Sequence, residues 1–105
     1  MTEPRPPAPR QVTVRRALAD ALRREDLAAQ DLSRLVGIPE KAVADHLAHL
    51  GRSLPVHGER LAVTPPQCLA CGYGFAARSR LTRPSRCPRC RGTHLAGPLF
   101  RVLRL

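Results

Sequence analysis

Two CxxC pairs constrain this chain more than any other feature. Cys68-Leu-Ala-Cys71 and Cys87-Pro-Arg-Cys90 are separated by the 15 residues 72–86, a spacing that reads as a four-cysteine zinc site. Two residues between cysteines let a tight turn aim both sulfurs inward, and two such knuckles complete a tetrahedron. With four protein ligands no coordination position is left for water or substrate. The expected cofactor is therefore one structural zinc ion on Cys68, Cys71, Cys87 and Cys90. Gly72 and Gly92 stand where the turns favour a left-handed residue. Two disulfides, a redox pair and iron in a rubredoxin-like site are the competing readings. His94, four residues past Cys90, is an ordinary strand or loop histidine once four thiolates saturate the ion.

The staple matters because the chain has only 105 residues, and modules of about 40 to 60 residues bury too little apolar surface to be robust alone. Tyr73, Phe75, Leu81, Leu95, Leu99, Phe100 and Val102 are the expected strands and thin core of a β-hairpin ribbon over 65–105, which should need zinc to fold. No run approaches the roughly 18 apolar residues of a membrane span, and the N-terminus lacks a secretory apolar core. The expectation is a cytoplasmic protein without a membrane partner.

Upstream, residues 1–11 are Pro-rich and expected to be a disordered tail. From Thr13, a plausible N-cap, the positions Val14, Ala17, Leu18, Ala21 and Leu22 recur at three- and four-residue steps, which predicts an amphipathic helix. A second helix over 28–36 places Leu32, Leu35 and Val36 on one face and ends at Gly37. A third starts at Ile38-Pro39, turns Val43, Leu47 and Leu50 inward, and closes at Gly51. Residues 53–63, with His57-Gly58-Glu59 between two β-prone runs, read as a hairpin, Pro55 confining its first strand to an edge. The fold class is α+β: a small winged helix-turn-helix domain over 12–64, then the zinc ribbon.

The run Leu32-Ser-Arg-Leu-Val-Gly-Ile-Pro-Glu-Lys-Ala-Val-Ala-Asp-His-Leu-Ala-His-Leu50 resembles the helix-turn-helix of winged-helix regulators of the arsenic-repressor type, through the pattern V-x-x-H-L-x-x-L. With the ribbon after it, residues 12–102 resemble a small family of predicted prokaryotic transcriptional regulators that fuse a helix-turn-helix to a four-cysteine zinc ribbon. The resemblance implies DNA as partner, with the third helix in the major groove and the wing on phosphates or in the minor groove. Glu40, Lys41, Ala44, Asp45, Ala48 and His49 would then face outward. That face lacks Arg, Asn and Gln, the side chains that read purine edges, and Glu40 at the helix start repels phosphate.

The basic residues lie elsewhere. Lys and Arg number 18 against 8 Asp and Glu, a net charge of +10, yet residues 1–59 are nearly balanced and residues 60–105 hold nine Arg and no acid. Four zinc-bound thiolates would bring that second part to +7. The DNA-contact candidates are Arg34, Lys41, Ala44, His49, Arg52, Arg60, Arg83 and Arg86, with Arg78, Arg80, Arg89 and Arg91 as further anchors. A solvated basic face is the plain alternative. An adaptor docking on RNA polymerase or another acidic partner is the second function class, a homodimer is compatible with either, and RNA stacking on the three aromatics is a third. His46, His49 and His57 invite a metal-sensor reading, but every cysteine is committed and His46 fits better beside the core. No nucleophile with a base, phosphate loop or carboxylate pair supports an enzyme.

Overall fold

The computed structural model describes residues 9–75 and 81–105. Three helices pack on a three-stranded sheet, and a smaller two-stranded ribbon projects from it. Helix α1 (Pro9–Arg24) begins four residues before Thr13, so residues 9–11, expected in the tail, are helical; residues 1–8 lie outside the described residues. Strand β1 (Leu27–Ala28) precedes α2 (Ala29–Val36), which starts where the Asp31 carboxylate accepts the Ala28 N–H at 3.1 Å. Gly37 ends α2 at φ 68°, its N–H bonded to the Ser33 carbonyl, as a left-handed cap should.

Helix α3 (Glu40–Ser53) runs straight through Gly51, so that glycine does not close it. A 3₁₀ turn (Leu54–His57) continues from α3, and the reversal comes at Gly58, φ 77°. The expected hairpin over 53–63 is thus corrected. Pro55 pre-sets a helical φ and lacks only an N–H that a first helical turn leaves unbonded. What was read as a first strand is a helical turn.

The larger correction concerns pairing. Strand β2 (Glu59–Thr64) finds its partner not next door but in β5 (Leu99–Arg104), the last strand of the chain, in a sheet of order β1-β5-β2. Strands β3 (Gln67–Cys68) and β4 (Leu95–Ala96) form the ribbon ladder. Both ladders share one register: partner numbers add to 163 for Glu59↔Arg104, Thr64↔Leu99, Gln67↔Ala96 and Cys68↔Leu95 alike. The ribbon is therefore the tip of one long hairpin whose base belongs to the N-terminal sheet. The ladder is interrupted at Pro65-Pro66 and Gly97-Pro98. Gly97 adopts φ 75°, and a Cβ there would sit 3.3 Å from the Pro66 Cα, so the crossing needs glycine for both conformation and space.

The core follows from this topology. Leu18, Leu22, Leu32, Val43, Leu47 and Phe100 are fully buried in one cluster with Val102. Phe100 and Val102, expected in the ribbon's core, instead sit against the three helices, and Leu81 packs on the same cluster. Leu35 departs from its expected inward position and is 58% exposed. No described helix is long and apolar enough to cross a membrane.

Candidate functional site

Each cysteine pair forms a knuckle with the same backbone bonds. The Cys68 carbonyl accepts the Gly72 N–H at 2.9 Å, and the Cys87 carbonyl accepts the Arg91 N–H at 2.8 Å. The Cys68 N–H donates to the Tyr73 carbonyl and the Cys87 N–H to that of Gly92, both at 2.8 Å. The left-handed residues are Gly72 (φ 80°) and, in the second knuckle, Arg91 (φ 60°) rather than Gly92. The two occupy equivalent places directly after the second cysteine. Arg91 holds a conformation that costs a residue with a Cβ about 1–2 kcal/mol.

The four Sγ atoms lie within 4.8 Å of one another, with Cys68–Cys90 and Cys71–Cys87 both at 3.6 Å. Sulfurs about 2.3 Å from a tetrahedral zinc are separated by about 3.8 Å, whereas a disulfide needs about 2.05 Å. The cluster therefore has the dimensions of a zinc site, and the disulfide reading falls away. Backbone N–H groups of Arg89 and Cys90 point at the Cys87 sulfur at 3.3 and 3.5 Å, and that of Gly92 at the Cys90 sulfur at 3.4 Å, stabilising thiolate charge. Cys68 and Cys87 are buried and Cys90 is exposed. Zinc here is structural and saturated by four thiolates. His94 is exposed and outside the ligand group, and no other cluster of three or more His, Cys, Asp or Glu ligands occurs among the described residues.

The thiols do not share their protons evenly. Backbone hydrogen bonds, that of Cys71 first, bring Cys68 down to about 7. At Cys71 the Tyr73 backbone works in the same direction, but desolvation and the neighbouring thiols outweigh it and push it up to about 12. Zinc must displace these protons, so its affinity is lost as pH falls and gained as pH rises. Each displaced proton changes affinity tenfold per pH unit, so between pH 7 and 5 we expect a fall of at least about a hundredfold. Competition with a chromophoric chelator across that range checks this; a flat profile would contradict a thiolate site.

Tyr73 and Phe75 meet edge to face with centroids 5.1 Å apart, and Phe75 is buried. Phe75 and Phe100 are buried, so of the three aromatics considered for RNA stacking Tyr73 alone is half-buried. His46 is half-buried and accepts a hydrogen bond from the Arg15 Nε at 3.2 Å. Burial and the nearby guanidinium hold it below its ordinary pKa, the neutral acceptor expected beside a core. His49 is also lowered, by burial and then by Arg15 and Arg52.

The basic candidates fall in separate places. Arg34 is in the last turn of α2, Lys41 in the first turn of α3 and Arg52 in its last; Arg60 is exposed on β2. Ala44 and His49 are half-buried on α3. Because α3 extends to Ser53, it gains Arg52, and its formal charge is zero rather than the −1 of residues 39–50. Arg86, Arg89 and Arg91 are exposed on the ribbon, while Arg78 and Arg80 lie outside the described residues. The ribbon loop 81–85 and the first turn of α3 line a common cavity with Glu40 and Lys41. There Arg83 forks onto Glu40, Nε to Oε1 at 2.5 Å and Nη2 to Oε2 at 3.0 Å. Sequence reasoning missed this pair, and the Arg23–Glu59 and Arg101–Asp26 pairs, because the partners are tens of residues apart.

Residues 13–62 match the family described as PF0610-like, N-terminal, and residues 65–104 match the PF0610 rubredoxin-like zinc β-ribbon domain. The second match includes β5, the strand that completes the sheet of the first. Among solved structures, the solution NMR structure of protein PF0610 from Pyrococcus furiosus is similar over 100% of this chain and 99% of that one, with a TM-score of 0.76 and 24% identity. At that identity the likeness concerns the fold. No curated protein matches the chain.

Proposed function

Since the chain joins a PF0610-like N-terminal domain to a rubredoxin-like zinc β-ribbon, we propose that it binds duplex DNA as a transcriptional regulator and performs no catalysis. The observation that carries this reading is the sheet order β1-β5-β2 with α1 before β1 and α2 and α3 between β1 and β2. We read this order as that of a winged helix, with α3 following a tight turn from α2 and the β2–β5 hairpin as the wing. Supporting it, nine Arg and no acidic residue follow Glu59, so the wing and its zinc tip hold the positive field. On this reading the hairpin and ribbon bind phosphate and steer the encounter. α3, which offers little that reads base edges, discriminates only modestly.

Titration with duplex DNA tests the proposal. The logarithm of the affinity should fall linearly with the logarithm of salt, by about 0.9 per phosphate neutralised. Arg60→Ala should weaken binding equally on all sequences and lower that slope by about 1. Absence of binding to any duplex at low salt overturns the reading. A second reading rests on a different feature: Ala17, Ala21, Leu27 and Leu35 line a groove between α1 and α2 together with Asp20, Arg24, Glu25 and Asp31, a surface on which RNA polymerase, another protein or a second copy could dock. Binding to a protein partner with salt-independent affinity and no binding to duplex would favour it.

A further inference from the structure

The structure points to a role for Arg83 other than gripping nucleic acid. We infer that Arg83 is a positioning residue: it neutralises Glu40 at the first turn of α3 and so joins that helix end and the ribbon loop into one phosphate-facing surface. The inference deepens the DNA-binding reading and rests on it.

Glu40 stands in the first turn of α3, where a carboxylate suits the helix dipole but repels an approaching phosphate. Left unpaired, it would oppose docking of the helix end that winged-helix proteins bring closest to bases. Arg83, 43 residues away, covers both carboxylate oxygens in a bidentate fork, a geometry that a point-charge Lys could not reproduce. The loop is built to hold that fork. Leu81 anchors it by packing on the central core, and Pro84 restricts the backbone of Arg83 to extended conformations. Beyond the loop, Cys87 ties the chain to the zinc centre.

With both fork positions occupied, the cations left for phosphate at this junction, among the described residues, are Lys41 and Arg86. Both are exposed and have no ion-pair partner among the described residues. Lys41 lines the cavity shared by α3 and the loop, Arg86 lines a second cavity, and Arg83 lines both. The clamp thus neutralises the carboxylate that lines the first cavity beside Lys41.

A double-mutant cycle on the full-length zinc-loaded protein tests this, using duplex DNA as the probe at several salt concentrations. Both side chains are partly exposed, so the variants keep the fold. Arg83→Ala should weaken binding about tenfold, since it bares a like charge to phosphate. Glu40→Gln should bind at least as tightly as the wild type, and Glu40→Gln with Arg83→Ala should return to within about twofold of it with an unchanged salt slope. If Arg83 contacts phosphate directly, the double variant is not rescued and its slope falls by about 0.9; that result overturns the inference and leaves DNA binding intact. Thermal unfolding of the same four proteins without DNA supplies the independent readout: no coupling between positions 40 and 83 removes the clamp. Failure of every protein to bind duplex overturns the underlying reading, and the inference with it.

Discussion

Removal of zinc is expected to destabilise the three-helix unit, not only the ribbon. Partition of the sequence at residues 64–66 confines the effect to the C-terminal module. The fold extends it, because β5 returns from the zinc tip to become the central strand of the N-terminal sheet. With zinc bound, β2 and β5 are held together at the far end by the knuckles. Without it, residues 65–98 become an open loop, whose closure costs about 3 kcal/mol by the logarithmic length dependence. A domain of this size has a total stability of about 5–15 kcal/mol, and 1 kcal/mol shifts its Tm by about 4–8 °C. The helical transition followed by far-UV circular dichroism should therefore move down by at least about 10 °C on chelation. A helical transition that stays in place while the ribbon unfolds would show that β5 does not depend on the zinc tip.

Phe100→Ala should be the most damaging single substitution in the chain. The ring is fully buried at the centre of the core, and its backbone faces Leu27 on one side and Val63 on the other. Phe-to-Ala changes at such sites cost about 3–5 kcal/mol through lost burial and the cavity left behind. That is a large share of the total, so the cooperative transition should be lost or strongly lowered even with zinc present. Leu103, three residues along the same strand and 37% exposed, is the control: Leu103→Ala should stay within about 1 kcal/mol of the wild type. Urea unfolding of the two variants checks both expectations. A midpoint for Phe100→Ala near that of the wild type would mean that the ring is not part of the N-terminal core.

The metal centre was legible in the sequence because its information is local. A CxxC knuckle is closed by bonds from Cys68 to Gly72 and Tyr73 and from Cys87 to Arg91 and Gly92, so five or six consecutive residues suffice to specify it. The helices were legible for the same reason. Val14, Leu18 and Leu22, or Val43, Leu47 and Leu50, recur on one face, and all are buried. Errors arose where two local readings compete. Gly51 fits a helix stop, yet a helix tolerates an interior glycine at a cost of about 1 kcal/mol. Leu54 to His57 fit an edge strand, yet Pro55 suits a helical turn equally well. Strand β1, two residues long, is too short to have a period at all.

The zinc knuckles, the three helices and the Arg-rich, acid-free C-terminal part can be read from the residues in order, since each depends on positions close together in the chain. The sequence leaves open which strand completes the sheet. Leu99, Phe100 and Val102 alternate in a way that fits a ribbon core or a sheet core equally, because period two specifies a buried face but not what covers it. That β5 crosses back to β2, that Phe100 packs against the three helices and that Arg83 reaches Glu40 become visible once the chain is folded. The strand pairing and the ion pair join residues about 40 apart in the chain, and Phe100 meets helices still farther from it. They need the chain to close over that distance, which no local pattern of residues encodes.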